Sequence, residues 1–191
     1  MKHGKSNQLR VIGGSHRSRI VYFPNHENLR PTADRIRETL FNWLQNDIYG
    51  AQCLDLFAGS GILGIEALSR GAAKVHFVES APAVVAAIED NLAKLELQQA
   101  SVSMSKAENW LESFPSKSWC DILFLDPPYA DNSLATICDA IEKSGILKAA
   151  AKIYIENNAS ILELQLPKSW QQLKTKKAGQ VYYYLYSAES N

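Results

Sequence analysis

Four consecutive residues, Asp126-Pro127-Pro128-Tyr129, follow the apolar run at 122–125. That run predicts a buried parallel strand, so the four residues stand where ligands bind in open α/β sheets. The Asp126 carboxylate and the Pro127 carbonyl can accept both N–H groups of an exocyclic amine, which frees the nitrogen lone pair for attack. The two prolines restrict the turn, and Tyr129 can stack on an extruded base. We predict that Asp126, Pro127, Pro128 and Tyr129 are catalytic in group transfer to such an amine.

A second motif places glycines at a turn between a strand and a helix. Asp55 ends the apolar run at 53–57, Gly59, Gly61 and Gly64 form a GxGxxG pattern, and Glu79 lies 20 residues after Gly59. Glycines let the backbone approach a ligand, and a carboxylate placed like Glu79 can bind a ribose diol. A nicotinamide dinucleotide fits this pattern poorly, because Asp55 would repel its pyrophosphate. The ammonium and sulfonium groups of S-adenosylmethionine (SAM) suit Asp55 better.

The expected cofactor contacts all belong to the carboxyl ends of neighbouring strands. They include the backbone near residue 107, just after the third strand, where SAM-dependent methyltransferases contact adenine. The predicted cofactor-binding residues are Asp55, Phe57, Gly59, Gly61, Glu79, Ala107 and Asp126.

Charge is unevenly distributed along the 191 residues, although the net charge is +0. Residues 1–37 carry eight basic and two acidic residues, whereas residues 38–191 carry 12 basic and 18 acidic ones. Six of the seven arginines lie in the first segment, and guanidinium groups suit phosphate contacts. We therefore expect an anionic partner for this arm, contacted by Arg10, Arg17, Arg19, Arg30, Arg35 and Arg37.

The elements that must position these residues follow from periodicity. Residues 8–12 and 19–23 predict a β-hairpin, and residues 33–47 predict a helix with Thr32 as its N-cap. From residue 52 onward, strands and helices alternate until the end, where 171–177 and 181–186 predict antiparallel strands. The expected fold is α/β: a doubly wound Rossmann-like sheet with a C-terminal antiparallel hairpin, plus an N-terminal β-hairpin and helix. The expected domains are a basic arm over 1–50 and a cofactor-binding domain over 51–191.

Composition excludes several classes of protein. Three cysteines without a CxxC pair predict neither a disulfide framework nor a zinc site, and they favour a reducing cytoplasm. The histidines lack metal-ligand spacing, so we expect no metal. No apolar run approaches the ~20 residues of a membrane span, and the polar N-terminus does not resemble a secretory signal.

The motifs together resemble one family, the bacterial 16S rRNA guanine-N2 methyltransferases of the guanine 966 type. The resemblance covers nearly the whole chain, and its distinguishing part is the block over residues 29–44, Leu-Arg-Pro-Thr-Ala-Asp-Arg-Ile-Arg-Glu-Thr-Leu-Phe-Asn-Trp-Leu. One departure is Ser18, which stands between Arg17 and Arg19 where the family usually has glycine. The resemblance implies a methyltransferase fold and SAM-dependent methylation of guanine N2 in rRNA of the small ribosomal subunit or its assembly intermediate, by a cytoplasmic, monomeric enzyme.

Other functions remain open from the residues alone. The Asp-Pro-Pro-Tyr motif also serves adenine-N6 and cytosine-N4 DNA methyltransferases, although 191 residues leave no room for a sizeable target-recognition domain. A SAM-binding assembly factor without turnover and an NAD-dependent oxidoreductase are the remaining alternatives.

Overall fold

A computed structural model describes residues 7–25, 32–127, 133–158, 160 and 166–189. The strands are β1 (Asn7–Arg10), β2 (Ile20–Phe23), β3 (Gln52–Asp55), β4 (Lys74–Glu79), β5 (Ala100–Met104), β6 (Cys120–Leu125), β7 (Leu147–Asn157), β8 (Trp170–Ala178) and β9 (Val181–Ala188). The helices are α1 (Asp34–Trp43), α2 (Ile62–Ser69), α3 (Pro82–Lys94), α4 (Ala107–Ser113) and α5 (Ser133–Ser144).

Seven strands form one sheet in the order β5-β4-β3-β6-β7-β9-β8. The first five strands of this order are parallel, and β9 runs antiparallel between β7 and β8. Chain order reverses between β3 and β6, which is the topological switch point where open α/β sheets bind ligands. The doubly wound sheet and the C-terminal antiparallel hairpin are confirmed. The N-terminal hairpin is confirmed as well, since β1 and β2 pair antiparallel in a separate sheet.

Each face of the large sheet is covered by its own apolar cluster. The first cluster joins residues of α1, α2 and α3 to the sheet, and it also contains Val11 and Val21 from the N-terminal hairpin. The second cluster joins residues of α4 and α5 to the opposite face. The side chains of β3 and β6 alternate between the two clusters, which is why these central strands are apolar along nearly their whole length.

Some predicted boundaries agree with the structure, and others differ by one or more residues. Helix α2 and strand β4 have the predicted limits, but α1 ends at Trp43 rather than at residue 47. Strand β7 begins at Leu147 rather than at residue 153. Residues 148–151, Lys-Ala-Ala-Ala, have good intrinsic helix propensity, but they form an irregular part of β7, where the register with β6 shifts between the pairs Cys120–Leu147 and Ile122–Lys152.

The predicted N-cap of α1 is wrong. Ala33 occupies that position, and no side chain caps the helix. Thr32 instead turns inward and is 4% exposed, with its hydroxyl group bonded to Glu156. Over the described ranges, none of the helices is both long and apolar enough to cross a bilayer.

Candidate active site and nucleic-acid interface

The central strands bring the three predicted acidic residues to one edge of the sheet. Asp55 ends β3, where it pairs with Phe77 of β4 and with Phe124 of β6. Glu79 ends β4, and Asp126 follows the last residue of β6. The expectation that these three residues share the carboxyl edge is therefore confirmed.

Glycines shape the loop between β3 and α2. Gly61 has φ +74°, in the left-handed region, and directly precedes the first helical residue. The Gly64 N–H donates a hydrogen bond to Asp55 Oδ2 at 3.1 Å. A Cβ atom on Gly64 would lie 2.2 Å from the ring of Phe77, so the third glycine lets α2 pack closely on β4. The loop and the Asp55 carboxylate thus form one rigid unit.

Glu79 fixes the other side of the same loop. Its Oε2 accepts a hydrogen bond from Gly59 N–H at 3.0 Å. Its Oε1 accepts bonds from Ser80 N–H at 2.7 Å and from Ala81 N–H at 2.8 Å. A carboxylate offers about four acceptor positions, so these three bonds orient Glu79 and leave acceptor capacity for a ligand.

Burial raises the pKa of two carboxyl groups at this edge, those of Asp55 and Asp126. Desolvation, with a smaller contribution from Glu79, raises the pKa of Asp55 to about 7, although the bond from Gly64 opposes the shift. Desolvation also raises the pKa of Asp126 well above its usual range, with further repulsion from Glu156 and Asp55. Within the described part of the chain, no basic side chain bonds to Asp55, Glu79 or Asp126. A ligand that carries positive charge therefore fits this edge.

Glu156 is a residue of this edge that the sequence analysis missed. The register between β6 and β7 pairs Leu125 with Ile155, and one further step places Asp126 beside Glu156. Glu156 is 3% exposed, and its Oε2 accepts bonds from Tyr154 Oη at 2.8 Å and from Thr32 Oγ1 at 3.1 Å. The available signal was an acidic residue at the end of an apolar strand, the same signal that identified Asp55 and Glu79.

The remaining predicted site residues differ in their burial and position. Pro127 is buried, Phe57 is half-buried against the second apolar cluster, and Ala107 is the buried first residue of α4. Pro128, Tyr129 and Arg30 lie outside the residues that the structure describes.

The arginines of the N-terminal arm divide into two groups. Arg10, Arg17, Arg19 and Arg35 are exposed. Arg37 is 0% exposed, so its predicted role in RNA contact is wrong. Its guanidinium group donates to the Arg10 carbonyl oxygen at 3.0 Å and pairs with Asp34 and, at 3.5 Å, with Glu66. Arg37 therefore fixes the arm to the fold instead of facing a partner.

Glu66 of α2 is the centre of this buried network. Its carboxylate accepts hydrogen bonds from Ile12 N–H and Gly13 N–H, each at 2.8 Å, and pairs with Arg70 at 2.8 Å. One turn further along α2, Ser69 Oγ donates to the Gly13 carbonyl oxygen at 2.6 Å. The arm is thus bonded directly to the helix that begins in the glycine loop.

The turn of the N-terminal hairpin lies at the amino edge of the sheet, away from Asp126. Ser15 N–H bonds to the carbonyl oxygen of Ser69, the last residue of α2, at 2.7 Å. A nitrogen of the His16 ring lies 3.1 Å from the carbonyl oxygen of Leu95, just after α3. Both helices start at the carboxyl edge and end at the amino edge, so Arg17 and Arg19 are remote from the acidic edge.

The sheet order, the reversed strand β9 and the glycine loop after β3 define the protein as a member of the Rossmann-like methyltransferase class. Within this class, the chain belongs to the family described as Conserved hypothetical protein 95, which matches residues 9–187. The chain is 43% identical over 188 residues to Ribosomal RNA small subunit methyltransferase D of Escherichia coli, covering 98% of this chain and 94% of that protein. The protein of the same name from Haemophilus influenzae is 40% identical over 185 residues, covering 94% and 93%.

Solved structures agree with this assignment. A putative methyltransferase from Escherichia coli, yhhF, superposes with a TM-score of 0.86 at 42% identity and covers 97% of this chain and 100% of its own. The putative methylase HI0767 from Haemophilus influenzae has a TM-score of 0.81 at 37% identity, covering 96% and 100%. The similarity thus extends over the full fold, including the N-terminal hairpin and the C-terminal strands.

Proposed function

We propose that this protein transfers a methyl group from SAM to the exocyclic N2 of a specific guanine in 16S rRNA. The observation that carries the proposal is the position of Asp126, at the switch point of the sheet and beside the glycine loop that Asp55 and Glu79 hold. Relatives with 40% or more identity over most of the chain are named as small-subunit rRNA methyltransferases, which supports the choice of substrate.

The acidic edge fits SAM by the chemistry of its side chains. Asp55 would hold the cationic amino-acid part, Glu79 would accept hydrogen bonds from the ribose hydroxyls, and the backbone near Ala107 would contact adenine. Phe57, Gly59 and Gly61 would line the loop. When bound, SAM supplies an electrophilic methyl group whose departure leaves a neutral thioether.

The residues of the Asp126 turn would orient and activate the amine. The Asp126 carboxylate and the Pro127 carbonyl would each accept one N–H of the guanine amine, so that the nitrogen lone pair faces the methyl group. Among the described residues nothing donates a hydrogen bond to the Asp126 carboxylate. Positive charge that develops on nitrogen lies next to this carboxylate, and the raised pKa of Asp126 makes it a better acceptor for the proton that nitrogen loses. Pro128 and Tyr129 would complete the pocket, with Tyr129 stacked on the base.

The exposed arginines of the arm would bind rRNA phosphates. Arg35 is the second residue of α1 and follows Thr32 by three positions. Because Thr32 contacts Glu156 at the acidic edge, Arg35 would lie near the target nucleotide. Arg10, Arg17 and Arg19 would contact more distant parts of the RNA, and Arg30 belongs to the same basic block. The substrate would be the small subunit or its assembly intermediate, in the cytoplasm, with the enzyme acting as a monomer.

Methylation of defined substrates tests this function. Small-subunit particles, free 16S rRNA and DNA are each incubated with the protein and SAM labelled in its methyl group, and the nucleosides are separated by mass spectrometry. We expect N2-methylguanosine at one position of 16S rRNA. Label on adenine or cytosine, label on DNA, or no transfer to any substrate would contradict the proposal.

A further inference from the structure

The edge strand β8 carries a concentration of positive charge outside the N-terminal arm. Lys174, Lys176 and Lys177, here called the lysine stripe, are all exposed. Residues 166–188 contain a fourth lysine, Lys168, and no acidic residue. The region stands out because residues 38–191 as a whole have a net charge of −6.

Strand register places the lysine stripe at the same edge as Asp126. Lys176 pairs with Tyr183 of β9, and Tyr183 pairs with Glu156 of β7. Glu156 in turn lies beside Asp126, so three strand spacings of about 4.8 Å separate the Cα atoms of Asp126 and Lys176 by roughly 15 Å. Lys177 is one residue nearer the carboxyl edge, because β8 runs in the same direction as β7.

Aromatic groups accompany two lysines of the stripe. Lys177 Nζ donates a hydrogen bond to Tyr182 Oη at 2.7 Å and lies 4.3 Å from the centre of that ring. Lys174 Nζ lies 5.9 Å from the ring centre of Trp43, which stacks on Tyr183. Such contacts hold the long side chains at the surface while the ammonium groups stay in water.

We propose that the lysine stripe is an RNA-contact surface that binds backbone phosphates of the rRNA next to the target nucleotide. The inference rests on the proposed function for the identity of the RNA. Its own support is the charge, the exposure and the distance to Asp126. Arg35, three residues after Thr32, and the stripe both place positive charge at the acidic edge, on the side of β7, whereas Arg17 and Arg19 lie at the opposite edge of the sheet.

Lysines on an edge strand have another established role, since they prevent pairing with a strand of another molecule. That role and phosphate binding differ in measurable ways. Edge protection predicts association of the variant protein without any change in RNA binding, whereas phosphate binding predicts a change in the salt dependence of the affinity.

The test compares two triple variants that lose the same charge. In K174Q/K176Q/K177Q the stripe is neutral. In the control K74Q/K117Q/K143Q, three other exposed lysines at the amino edge are neutral instead. A third variant, K174R/K176R/K177R, keeps the charge of the stripe. Affinity for 16S rRNA is measured over a salt series, and methyl transfer, SAM affinity and sedimentation are measured beside it.

We expect neutralising the stripe to reduce the slope of log K against log[salt] by about 2 to 3, or roughly 0.7–0.9 per contact. The KM for RNA rises about tenfold or more, while kcat at saturating RNA and the Kd for SAM stay within about twofold. The control and arginine variants keep the wild-type slope. An unchanged slope in the neutral variant overturns the inference, whether or not the variant protein associates with itself. Failure of the wild-type protein to methylate rRNA would instead overturn the proposed function, because the salt slope is measured without turnover.

Discussion

Thr32 donates a hydrogen bond from its hydroxyl group to Glu156 Oε2 at 3.1 Å, across 124 residues of sequence. Both residues are buried, and Glu156 lies beside Asp126 in the continued register of β6 and β7. This bond ties the segment that enters α1 to the edge of the sheet where the amine would react. Under the proposed function, we expect this bond to link recognition of the RNA by the arm to orientation of the base.

The first prediction concerns this bond. We expect T32V to lower the free energy of unfolding by about 1.5–3 kcal/mol, because a buried hydrogen bond to a carboxylate is lost. We also expect kcat/KM for RNA to fall with little change in SAM affinity. T39V is a matched control, since Thr39 Oγ1 bonds to the Arg35 carbonyl oxygen on the exposed face of α1. Equal effects of the two substitutions in thermal unfolding and steady-state kinetics would refute the linkage.

The second prediction separates two arginines of one helix. We expect R37M to destabilise the fold by about 3–5 kcal/mol, because Glu66 would keep its buried charge without this partner. We expect R35Q to leave the melting temperature nearly unchanged and to reduce the salt slope of RNA binding by about 0.7–0.9. Urea unfolding and a salt series on both variants check these expectations. Equal free energies of unfolding for R37M and R35Q would refute the structural role of Arg37.

The third prediction uses the raised pKa of Asp55. In the folded protein this pKa is about 7, against an ordinary value of 3.8, so the folded state retains a proton that the unfolded state loses between pH 4 and 7. The contribution of Asp55 to the free energy of unfolding therefore decreases as the pH rises through this range. We expect D55N to raise the melting temperature at pH 8, by ~2–4 °C for each kcal/mol gained, and to differ little from the wild-type protein at pH 4.

The same carboxyl group determines how SAM affinity depends on pH. A cationic ligand favours ionised Asp55, so wild-type affinity should increase from pH 5 to pH 8. We expect D55N to bind SAM roughly tenfold to hundredfold more weakly at pH 8 and with a flatter pH dependence. Isothermal titration calorimetry at several pH values measures both quantities. Equal affinity of the two proteins at pH 8 would show that Asp55 does not contact the cofactor.

The fourth prediction concerns Ser18, which has φ +71° in the turn between Arg17 and Arg19. The left-handed conformation costs a residue with a Cβ roughly 1–2 kcal/mol, and glycine adopts it freely. We expect S18G to stabilise the protein by about 1 kcal/mol and S18A to leave its stability nearly unchanged. Thermal unfolding of the two variants provides the comparison, and a lower melting temperature for S18G than for S18A would contradict it.

Much of the fold and part of the site follow from local patterns in the sequence. Helix α2 and strand β4 could be delimited because glycines and a change of apolar period mark their ends. The convergence of Asp55, Glu79 and Asp126 followed from a general rule about parallel strands. These inferences need only neighbouring residues and the type of sheet.

What the sequence could not reveal depends on contacts between distant segments. Arg37 reads as one more arginine of a basic arm, and its burial results from Glu66, 29 residues away. Threonine is a residue type that commonly caps the N-terminus of a helix. The Thr32 hydroxyl group, however, donates its hydrogen bond to Glu156 instead of capping α1. The stripe on β8 is hidden by the acidic average of the long segment that contains it. In each case the role of the residue depends on a contact or a position that only the tertiary structure establishes.

The central claim is that Asp126 accepts the amine N–H and thereby activates it. Single-turnover methyl transfer to 16S rRNA by the wild-type protein and by D126A, together with the Kd for SAM of each, tests this claim most directly. We predict that D126A loses at least roughly 10³-fold in rate while its Kd for SAM changes by less than about tenfold. A rate for D126A within a few fold of the wild-type rate would contradict the account.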